Sequence, residues 1–345
     1  MAVEVWEGQD HEEVAYFSDA ATGLAGVIAL HSTALGPAAG GCRMAQYVDR
    51  EAAVTDALRL SRGMSYKNAV AGLPAGGGKA VIYQADPAAD RGAVFEAFGR
   101  AVEAMGGRYI TAEDVGTRVG DMQQVAKSTR FVAGLPPRGG SAGGDPSPWT
   151  AMGVFLALEA AVGRPLAGSR IAVQGLGAVG FELCRQLDVA GARLVVADID
   201  EGRVQAAMSM FGAEAASVDT IHEVAADVFS PNALGGVLNG DTIGRLGAPI
   251  VCGGANNQLA SDLDGERLFQ RGVVYVPDYV ANAGGIINVM AEYLGETSSQ
   301  VRARVLRIGE RVVQILDEAR SEGRPSNEVA DRIARARIAA GTQAP

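Results

Sequence analysis

Three glycines at a fixed spacing form the strongest chemical pattern in this sequence. Gly175, Gly177 and Gly180 directly follow an apolar run at 171–173 and open a predicted helix, in a GxGxxG arrangement. In that context the first glycine allows a tight turn, the second lets the backbone approach a pyrophosphate, and the third lets the helix pack close to the strand. The pattern therefore predicts a dinucleotide site, with a plain glycine-rich turn as the alternative.

An acidic residue follows this motif at the expected distance. Asp198 stands 18 residues beyond Gly180, at the end of the next predicted strand. A carboxylate at this position accepts ribose hydroxyls and repels a 2′-phosphate, so the predicted cofactor is NAD. Arg203 is close enough in sequence to leave weak acceptance of NADP open.

Two lysines and one aspartate form a second candidate group. Lys67 ends a predicted apolar helical stripe, Lys79 directly follows three glycines, and Asp114 follows a predicted strand. An isolated lysine is more often a side chain that reaches water, but the apolar and glycine-rich flanks favour burial of both lysines. Since α/β folds carry their chemistry at strand ends, Asp114 is the natural third member. Its neighbour Glu113 is interpreted as a surface or positioning carboxylate.

The composition excludes several classes of partner. The chain has 345 residues, a formal net charge of −10 and 48% apolar residues, which is a globular composition. An acidic surface repels phosphate backbones and anionic headgroups, so neither nucleic acid nor a membrane is an expected partner. The acidic N-terminus and the absence of a long apolar run predict a cytoplasmic protein. The three cysteines are far apart in the sequence, so no disulfide is expected. No residues have the spacing of a metal site, so no metal is expected either.

The spacing of apolar residues predicts an α/β framework. A segment rich in glycine and proline at 134–148 predicts an irregular linker that serves as a hinge. Beyond the linker, strands alternate with helices, which implies a parallel, doubly wound sheet. The individual predictions are a hairpin from 14–17 and 25–31, a helix over 49–66, a strand over 80–83, helices over 92–105, 149–162 and 179–190, and strands over 108–111, 170–174 and 193–197.

These elements predict two domains of the α/β class. Residues 1–138 form an N-terminal α/β substrate domain, and residues 139–325 form a Rossmann-type, doubly wound NAD-binding domain. A C-terminal helix over 326–345 is expected to pack back on the first domain. A stripe at helical spacing precedes it, formed by Val301, Val305, Ile308, Val312 and Ile315.

Two other patterns are set aside. Residues 139–143 spell GxSxG, but they lie in the linker without a preceding strand, so they do not predict a nucleophile elbow. His11, His31 and His222 show no paired spacing and are interpreted as surface or hydrogen-bonded side chains.

Ordered stretches over roughly residues 20–295 resemble the glutamate, leucine, phenylalanine and valine dehydrogenase family, in particular its leucine/valine/phenylalanine branch. Besides the GxGxxG, the matching stretches are LGPAAGGCRM (35–44), LSRGMSYKN (60–68), GGGKAVI (76–82), TAEDVG (111–116), GDPSP (144–148), GANNQ (254–258) and NAGG (282–285). The resemblance implies reversible oxidative deamination of an L-amino acid to its 2-oxo acid, with release of ammonia and formation of NADH. It also implies a homo-oligomer, for which the C-terminal apolar stripe and the N-terminal hairpin are candidate interfaces.

The resemblance implies roles for the residues above. Lys67, with the Gly40–Gly41 backbone alongside, would hold the substrate α-carboxylate as a fixed point charge. Lys79 would be the general base that activates water, which requires a neutral amine, favoured by burial and by the nearby Lys67 charge. Asp114 would bind the α-amino group and shuttle protons. The further substrate contacts implied are Met64, Ala39, Ala112, Ala133, Asn256, Ile286 and Val289.

The resemblance also extends the cofactor site. Closure of the two domains about the linker would exclude water and complete it. The residues implied to line the cofactor or position its nicotinamide are Gly175, Gly177, Ala178, Val179, Gly180, Asp198, Thr150, Ala233, Asn256 and Asn282.

Substrate choice rests on two positions. Glutamate-specific relatives carry a lysine and a serine for the second carboxylate, where this chain has Ala39 and Val289. An anionic side chain would be left without a partner, at a cost of roughly several kcal/mol, so a nonpolar amino acid is expected. Leucine, valine and phenylalanine remain alternatives, as do a hydroxy-acid dehydrogenase on the same fold and a non-catalytic NAD-binding protein.

Overall fold

The structure, a computed structural model, describes residues 2–8, 10–137 and 139–342. The chain forms two compact units, each assembled from separate stretches of sequence. The first comprises Met1–Asp145, Ile286–Val301 and Ala334–Pro345, and the second comprises Pro146–Gly285 and Arg302–Ile333. The predicted domain division has its boundary at Arg138 and its last helix end at Pro345, and both positions lie outside the described residues.

The first unit is built on a mixed sheet of seven strands. Its strands are β1 (Ala2–Gly8), β2 (His11–Asp19), β3 (Leu24–Ser32), β4 (Ala38–Ala39), β5 (Cys42–Met44), β6 (Gly76–Gln84) and β7 (Tyr109–Ile110), and its helices include α1 (Arg50–Ala71), α2 (Arg91–Ala104) and α3 (Val119–Val125). The order is β1-β2-β3-β6-β4-β7, with β5 also paired to β6. β1 to β3 form an antiparallel meander that includes the predicted hairpin, whereas β4 and β5 run parallel to β6. Phe95 and Phe98 of α2 are fully buried in the core of this unit.

The start of β6 corrects the prediction of a strand beginning at Ala80 after a glycine turn. All three glycines, from Gly76 onward, belong to the strand. A Cβ on Gly77 would lie 2.0 Å from the Ser65 nitrogen of α1, and one on Gly78 would lie 2.8 Å from the Tyr109 ring. Glycine is therefore required here for close packing of a strand between neighbours, and Lys79 lies inside the strand.

Helix α1 is longer than predicted. It begins after Asp49, whose side chain accepts a hydrogen bond from the Ala52 N–H, and its last residue, Ala71, is followed by Gly72, which adopts the left-handed conformation with φ of 66°. Because Gly72 terminates the helix, Lys67 lies within α1 rather than at its end, which corrects the prediction.

The second unit contains a six-stranded, wholly parallel sheet in the order β10-β9-β8-β11-β12-β13. Its strands are β8 (Arg170–Gln174), β9 (Arg193–Ala197), β10 (Glu214–Ala215), β11 (Val228–Pro231), β12 (Ile250–Val251) and β13 (Val274–Tyr275). The helices of the rest of the chain are α4 (Ser147–Val162), α5 (Ala178–Val189), α6 (Glu201–Phe211), α7 (Gly240–Gly244), α8 (Asp262–Gln270), α9 (Asp278–Ala281), α10 (Gly284–Tyr293), α11 (Ser298–Glu322) and α12 (Ser326–Thr342). The predicted fold class, two α/β domains with a parallel sheet in the second, is confirmed.

The C-terminal helices depart from one expectation. The apolar stripe that begins at Val301 on α11 is at most 2% exposed, and an added Cβ on Gly153 of α4 would lie 2.8 Å from Ile308. This stripe is buried within its own chain, so it is not available to a subunit interface, contrary to the expectation. At the end of α12, Arg337 donates to the carbonyl oxygens of Ala69 and Val70 at the end of α1, both at 2.9 Å. Over the described residues, no helix is long and apolar enough to cross a membrane.

Candidate active site

A largely buried ion pair joins β6 to the segment that follows β7 in the first unit. Lys79 on β6 donates from Nζ to Oδ2 of Asp114 at 2.7 Å, and the side chains are 6% and 21% exposed. The strand positions Lys79, while a bridge between Cys42 and Glu113 extends the sheet up to Asp114. The structure therefore brings together two residues that lie 35 positions apart and that the sequence analysis placed in one candidate group.

Two glycines allow the backbone to approach this pair. A Cβ on Gly40 would lie 1.9 Å from the Gly78 carbonyl oxygen and 3.1 Å from Met64 Cγ. A Cβ on Gly41 would lie 2.9 Å from Asp114 Cβ. Tyr109, fully buried in the sheet, donates its hydroxyl to the Gly40 carbonyl at 2.7 Å and holds that peptide in place. Backbone, Met64 and the charged pair thus form one surface.

The charge state of Asp114 is set by two opposing effects. Burial raises the pKa of this carboxyl, but the Lys79 and Arg43 charges, together with their hydrogen bonds, outweigh it and bring the pKa to about 2. Asp114 is therefore an anion at neutral pH. An anion suits the binding of a substrate ammonium group, the role that the family resemblance implies for this residue.

Arg43 is a member of the site that the sequence reasoning missed. It lies on β5 and donates from Nε to Asp114 Oδ2 at 3.1 Å, and from one terminal nitrogen to Asp56 Oδ2 at 2.9 Å. Tyr47 donates its hydroxyl to the same Asp56 oxygen at 2.7 Å. An arginine within an apolar strand sequence is the signal that could have revealed it, because a half-buried guanidinium needs carboxylate partners.

Lys67 lies on α1, three residues after Met64, so the two share one face of the helix. Its side chain is half-buried. The next residue, Asn68, is fully buried and donates from Nδ2 to the carbonyl oxygens of Gly76 and Ala39, at 2.5 and 3.4 Å. These bonds fix this turn of α1 against β4 and β6, the strands that carry Ala39 and Lys79.

The predicted wall residues of a side-chain pocket form a small apolar cluster. Ala112, Ala133 and Val289 are buried together, with Ile286 and Tyr293 packed against them. Val289, Ile286 and Tyr293 come from α10, in the stretch of that helix that belongs to the first unit. Ala39, which was predicted with this group, lies in β4 paired with Ile110 and is not a member of the cluster.

A carboxylate that the sequence analysis did not single out joins two sides of this cluster. Glu292 of α10 accepts hydrogen bonds from the backbone nitrogens of Gly134 and Leu135, at 2.8 and 3.0 Å. Burial raises the pKa of Glu292, and burial together with the charges of Asp145 and Glu292 raises the pKa of Glu113. The helix that carries Val289 is thus tied to the loop that follows Ala133, in surroundings of negative charge.

In the second unit, the GxGxxG loop has the geometry that its spacing predicts. Gly175 has φ of 92°, and a Cβ there would lie 2.8 Å from Ala233. A Cβ on Gly180 would lie 1.9 Å from the Gly175 carbonyl oxygen, whereas one on Gly177 would meet no described atom within 4 Å. Ala178 and Val179 begin α5 directly after Gly177, so open space lies at the N-terminus of a helix, where backbone N–H groups favour an anion.

Asp198 closes this loop from the end of β9. Its Oδ2 accepts from the Leu176 nitrogen at 2.6 Å and its Oδ1 accepts from the Asp200 nitrogen at 2.8 Å. Arg203 forms an ion pair with Asp200, at 3.3 Å between Nε and Oδ2. Arg203, which left weak acceptance of NADP open in the sequence analysis, is therefore paired with a carboxylate.

The predicted nicotinamide-side residues also lie together. Asn282 donates from Nδ2 to Asn256 Oδ1 at 2.8 Å, while its own Oδ1 is buried and has no hydrogen-bond partner among the described residues. A Cβ on Gly285 would lie 2.6 Å from Thr150 Oγ1, which places Thr150 next to the segment that follows Asn282. An orphaned amide oxygen, the open space at Gly177 and the Asp198 carboxylate together fit a nicotinamide dinucleotide.

Two of the three histidines are hydrogen-bonded, as predicted. His11 contacts Ser61 Oγ at 2.9 Å and His31 contacts Ser65 Oγ at 2.8 Å. His222 is buried, and its Nε2 has no hydrogen-bond partner among the described residues but lies 3.7 Å from Glu223 Oε1.

Known proteins similar to this chain point to one family. Two family models match the chain. Residues 11–131 match the model described as Glu/Leu/Phe/Val dehydrogenase, dimerisation domain, and residues 200–343 match the model described as Glutamate/Leucine/Phenylalanine/Valine dehydrogenase. A leucine dehydrogenase of Thermoactinomyces intermedius is 46% identical, over 96% of this chain and 92% of the relative. A valine dehydrogenase of Streptomyces virginiae is 44% identical, over 95% and 94%. The crystal structure of L-tryptophan dehydrogenase from Nostoc punctiforme matches with a TM-score of 0.84 at 39% identity, over 97% and 98% of the two chains.

The comparisons place the chain among the oxidoreductases of the dehydrogenase class. The chain belongs to the Glu/Leu/Phe/Val dehydrogenase family and is an amino-acid dehydrogenase, an oxidoreductase that acts on a CH–NH2 group. The family and the enzyme class predicted from the sequence are confirmed.

Proposed function

We propose that this enzyme catalyses the reversible, NAD-dependent oxidative deamination of a nonpolar L-amino acid to its 2-oxo acid and ammonia. The observation that carries the proposal is the buried Lys79–Asp114 ion pair beside the Gly40–Gly41 backbone. It supplies an anion for an amino group and an amine for proton transfer, in a site sheltered from water.

Each charged residue has one task in this proposal. Lys67 holds the substrate α-carboxylate as a fixed charge, next to the Gly40–Gly41 backbone. Asp114, ionised at neutral pH, accepts hydrogen bonds from the substrate ammonium group and passes protons to and from it. Once Lys79 has given up its proton, its amine takes one from the water that attacks the imine carbon, and the resulting carbinolamine then releases ammonia to leave the 2-oxo acid. NAD bound to the second unit supplies the acceptor for the hydride that leaves Cα.

The apolar cluster supports a nonpolar substrate. Ala112, Ala133 and Val289 offer no cation to a second carboxylate, and Ala39 is buried and apolar too. Glu113 and Glu292, close to the same loop, would repel such a group. Burying an unpaired carboxylate costs roughly several kcal/mol, so glutamate is a poor substrate. Leucine and valine, the substrates named for two of the relatives, are the preferred candidates, and phenylalanine is an alternative.

NAD, rather than NADP, is the proposed cofactor. The Asp198 carboxylate stands at the end of β9, beside the glycine loop, where it repels a 2′-phosphate. Arg203 forms an ion pair with Asp200, which partly neutralises its charge and so weakens its attraction for a 2′-phosphate.

Two further proposals concern the state of the protein. The match of residues 11–131 to a dimerisation domain supports a homo-oligomer. The three cysteines are free and buried, which supports a reducing, cytoplasmic location.

The test is a substrate panel with the full-length protein. NADH formation is followed with L-leucine, L-valine, L-phenylalanine, L-tryptophan and L-glutamate, and with the 2-hydroxy acids that match the nonpolar members. Turnover of a nonpolar amino acid, with glutamate and the hydroxy acids at least a hundredfold slower in kcat/KM, is expected. Activity only with hydroxy acids, or none while NAD binds, would reject the proposal.

A further inference from the structure

We propose that Arg43 is a positioning residue for Asp114, holding its carboxylate ionised and fixed in place while Lys79 loses and regains a proton. This inference rests on the proposed function, because it concerns the same site. It assigns a task to a residue that does not itself contact the reacting atoms.

The geometry places Arg43 as a bridge between two carboxylates. Its Nε contacts Asp114 Oδ2 at 3.1 Å and its terminal nitrogen contacts Asp56 Oδ2 at 2.9 Å. Asp56 lies on α1, and Tyr47 donates a hydrogen bond to the same oxygen of Asp56. The three ion-paired side chains are between 15% and 21% exposed, so their interactions are only partly screened by water.

The need for such a residue follows from the chemistry of Lys79. Asp114 is the only ion-pair partner of Lys79 among the described residues, so a neutral Lys79 leaves Asp114 without that charge. A sheltered carboxylate that lost its only cation would itself take up a proton and could no longer bind an ammonium group. Arginine does not deprotonate in proteins, so Arg43 keeps a cation against Asp114 at every stage.

Both cations contact the same oxygen of Asp114. Lys79 and Arg43 each donate to Oδ2, and Oδ1 makes no hydrogen bond to another described residue. The backbone nitrogen of Asp114 donates to Thr117 Oγ1 at 2.8 Å, which fixes the main chain at this point. Arg43 therefore holds one oxygen and leaves the other to accept from the substrate amino group.

Two further titratable groups of the described residues lie within reach of the Asp114 charge. Besides Lys79 from β6 and Arg43 from β5, this charge acts on the Cys42 thiol and the Tyr109 phenol. Burial raises the pKa of both groups, so both are neutral over the working range. Removal of Arg43 should therefore act directly on the protonation of Asp114.

The experiment compares full-length variants across pH. Arg43→Gln and Arg43→Met remove the charge, Arg43→Lys retains it, and Arg100→Gln removes an arginine–aspartate pair elsewhere in the same unit. With the fastest amino-acid substrate, the neutral variants should lose at least tenfold in kcat. The acid limb of their kcat profile should move up by about one to three pH units, because protonation of Asp114 becomes easier. Arg43→Lys should restore the limb in part, and Arg100→Gln should match the wild type.

A purely structural role would give a different result. It would lower the melting temperature and the active fraction, with an unchanged acid limb in the neutral variants, and that outcome would overturn the proposal. If neither neutral variant folds, as judged by thermal melting and NAD binding, the Arg43→Lys variant tests the role of Arg43 instead. One ammonium group cannot span Asp114 and Asp56, so at least a threefold lower kcat is expected, and a wild-type kcat would refute the bridge.

The test also separates this inference from the proposed function. If the wild type oxidises no amino acid, the proposed function is rejected. The role of Arg43 is then tested by infrared titration of the substrate-free protein. The Asp114→Asn variant identifies the carboxyl band of Asp114. Protonation of that carboxyl at a higher pH in Arg43→Gln than in the wild type would support the role of Arg43, and identical titrations would reject it.

Discussion

Gly177 and Gly180 provide a matched pair of substitutions within one loop. An alanine at Gly177 adds a methyl group to space that holds no described atom within 4 Å, whereas an alanine at Gly180 places it 1.9 Å from the Gly175 carbonyl oxygen. Gly177 has φ of −66° and ψ of −170°, a conformation that alanine adopts without strain. We expect Gly177→Ala to fold like the wild type and to bind NAD weakly, and Gly180→Ala to fold poorly.

The size of the effect follows from what the methyl group displaces. If the space at Gly177 receives the pyrophosphate, the methyl group breaks at least one hydrogen bond between the loop backbone and a charged oxygen. Such a bond is worth about 1.5–3 kcal/mol. Since 1.4 kcal/mol corresponds to a factor of ten, the Kd for NAD should rise about 10- to 150-fold.

Isothermal titration with NAD and thermal melting without it give the two readouts. The expected result is a raised Kd with an unchanged melting temperature for Gly177→Ala, and a clearly lowered melting temperature for Gly180→Ala. Wild-type affinity for NAD in a folded Gly177→Ala protein would refute the assignment of this loop to the cofactor.

Four further outcomes are expected. Lys79→Ala should lower kcat by roughly 10²- to 10⁴-fold, the usual range for a general base, with the Kd for NAD within twofold of wild type; unchanged turnover would remove Lys79 from the mechanism. Asp198→Ala should reduce the preference for NAD over NADP at least tenfold in kcat/KM, and an unaltered ratio would assign that choice to another residue. Glu292→Ala frees the Gly134–Leu135 backbone, so the kcat/KM ratio of phenylalanine to valine should rise at least threefold; a constant ratio would mean that the loop does not set the width of the pocket. Burial, together with the His11 and Arg62 charges, lowers the pKa of His31 from 6.5 to about 4. The unfolded chain therefore binds more protons between these values, so the free energy of unfolding is highest above pH 6.5 and decreases as the pH falls to about 4. His31→Asn should melt with a weaker pH dependence over that window, and a slope equal to that of the wild type would contradict it.

The second unit could be predicted closely because its signals are local. The strands at 170–174 and 193–197 have the bounds predicted from their apolar runs, and the glycine loop with Asp198 has the predicted arrangement. A strand, a turn and a helix in direct succession leave little for distant parts of the chain to decide.

In the first unit the errors come from packing between distant segments. The three glycines before Lys79 have the composition of a turn, yet they form a strand because Ser65 and Tyr109 leave no room for a side chain. The periodicity of α1 predicted the helix but not its end, which Gly72 determines.

The residues that the sequence did not single out have partners far along the chain. Arg43 is hydrogen-bonded to Asp114, 71 positions away in the sequence, and Glu292 to Leu135, 157 positions away. No spacing rule connects such pairs, and a single charged residue in an apolar stretch indicates only that a partner exists.

The segmented make-up of the first unit has a practical consequence for protein engineering. A fragment that stops after Asp145 would lack the helical stretch that carries Val289, and it would lack Arg337, which binds the last carbonyl groups of α1. Such a fragment should expose apolar surface and fail to fold alone. Chimaeras with related enzymes should therefore exchange all three stretches together, since a single crossover would combine half of a pocket from one parent with half from the other.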